Sequence, residues 1–206
     1  MATFDIRGLV RGSSAGASAA IAANQNGDLL TAQGLPPYTE LGRAGSGYAT
    51  MAVSAVAALV VRHRTTAALE IFNNSPQKSL VIDRLFGHNL VGVANSAMGL
   101  YAMVTTPKLG PTDAVLAINS LSGKPAAIKS VLTAAGTTVI DNGWFPYGPF
   151  ASNVTVTTPG PTLEAVIAGR LIVPPSCSLC LHVVASTTGV TATLGAAWYA
   201  VELNLA

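Results

Sequence analysis

The stretch GRLIVPPSCSLCLHVVAS, residues 169–186, joins two apolar runs through a Pro-Pro pair. Because proline fixes φ and has no amide hydrogen, Pro174 and Pro175 predict a turn between two strands. After the turn the residues alternate as in a strand. The two predicted faces carry Leu179, Leu181 and Val183 on one side and Cys180, His182 and Val184 on the other.

The same stretch contains both cysteines of the chain, as a C-x-x-C with His182 nearby. A tetrahedral zinc site normally needs four ligands, and the chain has no second cysteine pair. A redox C-x-x-C lies at a helix N-terminus in a βαβ setting, whereas Cys177 and Cys180, three apart on a strand, point to opposite faces. We therefore expect small buried thiols, with no metal site and no cofactor site.

Strand-like runs recur from residue 48 onward, separated by segments rich in Gly, Pro, Asn and Ser. This spacing predicts an all-β fold, an antiparallel jelly-roll-like β-sandwich over residues 48–206. Residues 50–61 and 126–135 contain such runs but are also Ala-rich enough to be helical, so helix is a second interpretation for these two segments. The predicted strand runs are TMAVSAVAALVV, TAALEIFN, SLVIDRLFGH, LYAMVTT, AVLAINSL, AIKSVLT, TTVIDNG, NVTVTT, LEAVIAGRLIV, SLCLHVVAS and TLGAAWYAVELN. In the last run, alternation places Trp198 and Ala200 on one face and Tyr199 and Val201 on the other.

Residues 1–47 are typical of an extended N-terminal arm. They contain FDIRGLVRG, the Gly/Ala/Ser tract GSSAGASAAIAA, a hairpin-turn signal at Asn26-Gly27 and an extended Pro36-Pro37 pair. These residues cannot bury a core alone. We expect the arm to lie over the main domain or to add a strand to a neighbouring subunit.

Charged residues make up 10% of the chain, against roughly 25% in an average soluble protein. Half of the residues are apolar and the mean hydropathy is +0.49. Because a free monomer normally keeps charges on its surface, this composition predicts a homo-oligomer or an assembled lattice.

The charge pattern also argues against nucleic acid and membrane partners. The net charge is +2, and Arg7 and Arg11 are isolated rather than part of a basic patch. The longest uncharged apolar stretches, 44–61 and 171–201, are interrupted by Gly, Ser, Thr or Pro and lack flanking anchors. The start MATFDIRGLVRG shows no secretory signal, which favours assembly in a cytosol.

A hydrolase is the main catalytic alternative. Residues 12–16 match G-x-S-x-G, with Ser14 as nucleophile. Its partners would be His182 and an acid chosen from Asp83, Asp113 and Asp141. However, the tract is of low complexity, the chain lacks an alternating βα pattern, and the nine carboxylates show no metal or paired-carboxylate spacing. We expect no enzyme and no catalytic residue.

Several polar and aromatic residues leave two interpretations open. Adjacent residues of a strand project to opposite faces, so either Asp83 or Arg84 would point inward, or the two residues take part in an ion pair between strands or subunits. The segment GWFPYGPF, with Trp144, Phe145, Tyr147 and Phe150, is either a buried loop or subunit contact, or a carbohydrate platform. His63 and His88 are interpreted as structural, and the glycosylation patterns at Asn73 and Asn153 mean little without a secretory signal.

Five stretches of the chain carry a resemblance to known proteins. They are NGDLLTAQGLPPYTELGRAGSGYAT, TTAALEIFNNSP, SLVIDRLFGHNL, GRLIVPPSCSLCLHVVAS and AAWYAVELN. The chain resembles uncharacterised proteins of tailed-phage and environmental viral genomes. The resemblance implies a homotrimeric virion component with a jelly-roll domain, in a capsid-decorating, tail or fibre role. At the level of fold only, the ending is similar to the C-terminal hairpin of trimeric jelly rolls, including the tumour-necrosis-factor-like ones.

Together these expectations describe a non-enzymatic virion structural protein of a bacteriophage, most simply a capsid decoration or cement protein. Its partners would be further copies of itself and other virion proteins, such as a major capsid or tail protein. It would reside in the virion after assembly in the host cytoplasm. The alternative is a receptor- or carbohydrate-binding module of a tail or fibre that uses the aromatic segment.

Overall fold

The computed structural model describes residues 45–52, 55–62, 65–73, 75–105, 118–119, 131–132, 137–139, 143–153 and 160–202. None of these residues is helical, and most of them belong to strands. The strands are β1 Gly47–Met51, β2 Val56–Ala57, β3 Thr66–Ala67, β4 Leu69–Phe72, β5 Lys78–Val91, β6 Ser96–Thr105, β7 Ile118–Asn119, β8 Val131–Leu132, β9 Thr137–Thr138, β10 Phe145–Asn153, β11 Thr162–Val173, β12 Ser178–Ala185 and β13 Thr191–Glu202.

The strands form two main sheets and a small third one. The six-stranded sheet has the order β11-β5-β13-β1-β7, with β2 also paired to β13. The five-stranded sheet has the order β10-β6-β12-β4-β8, and β3 pairs with β9. All of these strand pairs are antiparallel. The expectation of an antiparallel β-sandwich is therefore confirmed.

The core lies between the two main sheets. Leu80 and Ile82 on β5 pack in one apolar cluster with Leu179 and Leu181 on β12, and all four are fully buried. Trp198 on β13 belongs to the same cluster, and the ring of Tyr48 stacks on it with 6.2 Å between centroids. Burying these side chains contributes about 1.5–3 kcal/mol each and holds the sheets together.

A second, smaller cluster covers part of the five-stranded sheet on its other side. It contains Ala67, Met103, Val139, Trp144 and Cys180, with Tyr101 packed against it. Because β6 and β12 contribute side chains to both clusters, these strands are buried on both faces along part of their length. Strands of this kind are apolar at nearly every position, as β12 is.

The pairings of β5 change register at Asp83. On β13, the neighbours Ala197 and Trp198 oppose Arg84 and Ile82, so Asp83 is the extra residue of a bulge. On β11, residues 167–170 form the corresponding irregularity, where Ala168 and Gly169 have positive φ. Arg170 donates from Nε to the Ile167 carbonyl and from Nη2 to the Val166 carbonyl, both at 3.1 Å.

The expected helix at residues 50–61 is wrong. Its described residues contain the end of β1, the strand β2 and a bridge from Leu59 to Val184. Of residues 126–135, for which helix was also expected, the structure describes only Val131–Leu132, and these two residues are strand. Strand pairing overrides the helix propensity of alanine in the described part of residues 50–61.

The predicted arm lies almost entirely outside the described residues, including Asn26-Gly27 and Pro36-Pro37. Its last residue, Gly47, opens β1. Ala200 N donates to Ser46 O at 2.8 Å, which fixes the entry into that strand.

Candidate functional site

The aromatic segment is an edge strand rather than a loop. β10 pairs with β6 on one side, and within the described chain it has no neighbour in its sheet on the other. Pro146 and Pro149 are compatible with this position, because an edge strand does not need all of its amide hydrogens for pairing. A bulge between Tyr147 and Ala151 interrupts the pairing and contains Gly148, whose φ is +73°.

The four aromatic residues of this segment have different environments. Trp144 is 2% exposed and belongs to the smaller cluster, and Tyr147 packs against the main core. By contrast, Phe145 and Phe150 are 61% and 62% exposed. The interpretation as a buried loop is therefore right for Trp144, and a ligand platform would have to use the two phenylalanines instead.

The ring of Phe150 lies on Gly99 of β6. A Cβ atom at Gly99 would overlap Cε1 of Phe150, so only glycine permits this contact. Met98 and Leu100 face the main core, and Gly99 between them faces the opposite side of the sheet. The ring of Phe150 therefore contacts the outer face of the five-stranded sheet at Gly99.

The neighbouring part of this face is also apolar. Gly99 pairs with Val184 of β12, and Val184 bridges to Leu59 on its other side. The chain leaves that bridge through Val60 and Val61, whose exposed fractions are 52% and 66%. We name the outer apolar surface as the exposed side chains of Val60, Val61 and Phe150 together with the partly exposed Val184. Arg62, the next residue, contacts the carbonyl of Trp144 at 3.5 Å.

A row of buried polar side chains lies on the same outer face. Ser178, Cys180 and His182 alternate along β12 with the core residues, and Glu70 of β4 is paired in register with Cys180. Ser178 Oγ donates to Glu70 Oε1 at 2.6 Å, whereas Glu70 Oε2 is buried without a hydrogen-bond partner. These groups are enclosed rather than presented to a substrate.

The electrostatics of the row agree with that enclosure. Burial, with a smaller contribution from the nearby Glu70 carboxylate, raises the pKa of Cys180 far above its usual range. Burial lowers the pKa of His182, partly offset by its hydrogen bond with the Val183 backbone. The uncharged thiol and imidazole are therefore favoured, which is typical of packed structural groups.

The C-x-x-C has the geometry that strand alternation predicts. Cys177 packs against the main core and Cys180 belongs to the smaller cluster on the opposite face, and both thiols are free. Throughout the described ranges, no group of three or more His, Cys, Asp and Glu side chains could hold a metal ion.

Of the two interpretations of Asp83 and Arg84, the structure has the ion pair between strands. Arg84 Nη1 contacts Glu164 Oε1 on β11 at 2.5 Å and Arg84 Nε contacts Asp83 Oδ2 at 3.4 Å, so the ion pair between strands is present. The prediction that one of the two charges points inward is wrong. Ile82 and Leu85 are the neighbouring core residues, and the bulge leaves both Asp83 and Arg84 between them, outside the core. The Glu164 and Asp83 carboxylates raise the pKa of Arg84 at this exposed position.

The remaining candidates are structural or lie outside the described chain. Asn73 is fully buried: its Nδ2 donates to the Lys78 and Val173 carbonyls and its Oδ1 accepts from Ser75 N, so it is no exposed glycan acceptor. His88 Nδ1 contacts Thr162 Oγ1 at 3.0 Å. Ser14, His63, Asp113 and Asp141 fall outside the described residues, as does the rest of the Asn153 pattern.

The described partners of the hydrolase hypothesis are not brought together. Asp83 belongs to the six-stranded sheet, whereas His182 lies on the outer face of the five-stranded sheet. The residues that sequence reasoning missed are Gly99, Val60 and Val61. The lack of charge in AGSGYATMAVSAVAALVV was a signal for Val60 and Val61, whereas Gly99 had none.

No helix in the described ranges is long and apolar enough to cross a membrane. Comparison with known proteins finds no matching family model, no matching curated protein and no matching solved structure. The class that the fold itself defines is a two-sheet antiparallel β-sandwich with an apolar outer surface.

Proposed function

We propose that this chain is a non-enzymatic structural protein of a virus particle, which assembles as a homo-oligomer, most simply a trimer. The outer apolar surface is the observation that carries the proposal. Large apolar side chains exposed on one face of a sheet mark interaction sites, and here the whole chain has only 10% charged residues. A decoration protein of a capsid shell is the role that needs such interfaces most directly.

The strand order supports the finer assignment to the jelly-roll class, which is common among capsid domains. Among the strands of four residues or more, one sheet has the order β11-β5-β13-β1 and the other β10-β6-β12-β4. Consecutive strands of this set lie in opposite sheets, except β6 and β10. Repeated crossing between two four-stranded sheets is consistent with a double Greek key, which supports this assignment.

In this role the partners are further copies of the chain and other virion proteins, such as a major capsid or tail protein. The protein would reside in the virion of a bacteriophage after assembly in the host cytoplasm. Its work would be done by surfaces, which is consistent with the enclosed state of Cys180 and His182.

The test introduces a charge on the outer apolar surface. Phe150→Asp should shift the oligomer toward monomer, because a carboxylate in an interface loses its hydration without gaining a partner. The matched control is Val166→Asp on the six-stranded sheet, where Val166 is 55% exposed beside Arg84. Analytical ultracentrifugation of both variants, with thermal unfolding to verify folding, should show dissociation only for Phe150→Asp. Equal masses for the two variants would contradict the proposal.

Carbohydrate binding by a tail or fibre module is the second candidate, and the exposure of Phe145 and Phe150 favours it. Exposed aromatic rings can stack on the apolar face of a sugar. A glycan array probed with wild type, Phe145→Ala and Phe150→Ala separates the two functions. A sugar signal that both substitutions abolish would favour the binding module, and a structural protein should give none.

A further inference from the structure

The outer apolar surface carries exposed Val and Phe side chains. Gly99 lets the ring of Phe150 lie close to the sheet, where Gly99 pairs with Val184. Among the described residues of this face, Glu70 is buried and Arg62 is the exposed charge at the margin. A segment bound here must therefore be uncharged, because a charge buried against apolar groups loses its hydration.

The chain itself contains an uncharged tract of small residues outside the described residues. Residues 12–27 contain no Asp, Glu, Lys or Arg, and residues 12–23, GSSAGASAAIAA, are almost entirely small. The rest of residues 1–44 is less suitable. Residues 1–11 carry Asp5, Arg7 and Arg11, and the uncharged residues 29–39, LLTAQGLPPYT, have larger side chains and the Pro36-Pro37 pair. Small side chains also let a backbone approach an aromatic ring closely.

The length of the chain allows this tract to reach another copy. Residues 24–44 separate the tract from the first described residue, Gly45, just before β1. An extended chain spans about 3.3 Å per residue, so this connection reaches up to about 70 Å. Two packed sheets are only about 10 Å apart, so the reach exceeds the thickness of a sandwich several times.

We propose that residues 12–23 of one copy bind the outer apolar surface of a neighbouring copy. This inference rests on the proposed function, since it names the segment that covers the surface in the oligomer. It explains why a surface of exposed Val and Phe side chains and an uncharged tract of small residues occur in the same chain.

The experiment uses the full chain with p-benzoylphenylalanine in place of Phe150. Isotopically heavy and light copies are mixed, dissociated and reassembled, and irradiated, and the linked peptides are identified by mass spectrometry. We expect mixed heavy-light links from position 150 to residues 12–23. The same photoreactive residue in place of Val166, on the outer side of the other sheet, should give no such links.

A second variant verifies the chemistry of the tract without altering the β-sandwich. Ala17→Asp with Ala20→Asp places two charges in the tract and should lower the yield of links to residues 12–23 roughly tenfold or more. An unchanged yield would overturn the inference. Links confined to one isotope, or to a different segment of another copy, would also overturn it while leaving the oligomer intact. A monomer without links would overturn the proposed function as well.

Discussion

Glu70 and Ser178 are buried together on the outer face of the five-stranded sheet, where a single hydrogen bond of 2.6 Å joins them. Ser178→Ala would remove the described donor of the Glu70 carboxylate and leave both of its oxygens without a partner. We expect the free energy of unfolding to fall by about 1–3 kcal/mol. Urea denaturation of wild type and variant measures the difference.

The double variant Glu70→Met with Ser178→Ala is the matched control for this prediction. Removing both polar partners together removes the desolvation penalty, so the double variant should regain most of the stability lost by Ser178→Ala. Equal or greater destabilisation in the double variant would show that the hydrogen bond is not the origin of the effect.

His182 gives the stability a pH dependence of defined sign. Because burial lowers its pKa in the folded state, the unfolded chain binds the proton more readily. The contribution of neutral His182 is present above the unfolded pKa, near 6.5, and is lost as pH falls through that value toward the lower folded pKa.

The measurement compares His182→Gln with its parent in a background carrying His63→Gln and His88→Gln, so that His182 is the titrating histidine. The stability of the parent relative to the His182→Gln variant should fall between pH 7 and pH 5. Parallel stability curves over that range would contradict the assignment.

Strand alternation predicted the single residues on β12 and failed on β5. Cys177 and Cys180 face opposite sides because β12 is regular throughout. Asp83 and Arg84 do not face opposite sides, because a bulge lies at Asp83. This bulge was not predicted, because it depends on the registers of both β13 and β11 with β5. Likewise Asn73 matched a glycosylation pattern, whereas its contacts with the Lys78 and Val173 carbonyls depend on the fold.

At the level of elements, the close approach of β1 and β13 depends on Gly195. A Cβ atom there would be 2.5 Å from the Thr50 carbonyl oxygen and 3.0 Å from Phe86 Cδ2. Because a backbone atom cannot move aside cheaply, Gly195→Ala should lower the free energy of unfolding by about 2 kcal/mol or more. Chemical denaturation of the purified variant measures the loss.

Gly87→Ala is the matched control on the adjacent strand β5, paired with Leu194. Its Cβ atom would make ordinary contacts of 3.5 Å with Leu194 and 3.6 Å with Leu163. This substitution should be neutral or stabilise by up to about 1 kcal/mol, since it restricts the unfolded chain. Similar losses for both variants would mean that the Thr50 contact does not limit residue size at Gly195.

The strands β11, β12 and β13 were predicted from sequence because the local apolar pattern and the tertiary pairing agree there. β10 was interpreted as a loop because Pro146, Gly148 and Pro149 are unsuited to a central strand. Only its position at the edge of the sheet makes it a strand. The helix prediction for residues 50–61 was wrong for a related reason, since pairing with β13 decides their conformation.

For the whole molecule, the spacing of strand-like runs predicted the β-sandwich class. The low charge predicted surface covered by other copies, but not the place of that surface. The outer apolar surface joins residues 60–61, 150 and 184 through the Leu59–Val184 bridge and the Gly99–Phe150 contact. Neither contact follows from local sequence, because both depend on which strands become neighbours.

The central claim is that this surface is covered by another copy of the chain. The most direct test is the mass of the purified wild-type protein by light scattering at two concentrations tenfold apart. The account predicts a closed oligomer, most simply with three times the 20.8 kDa of one chain, and the same mass at both concentrations. A monomeric mass at both concentrations would contradict it.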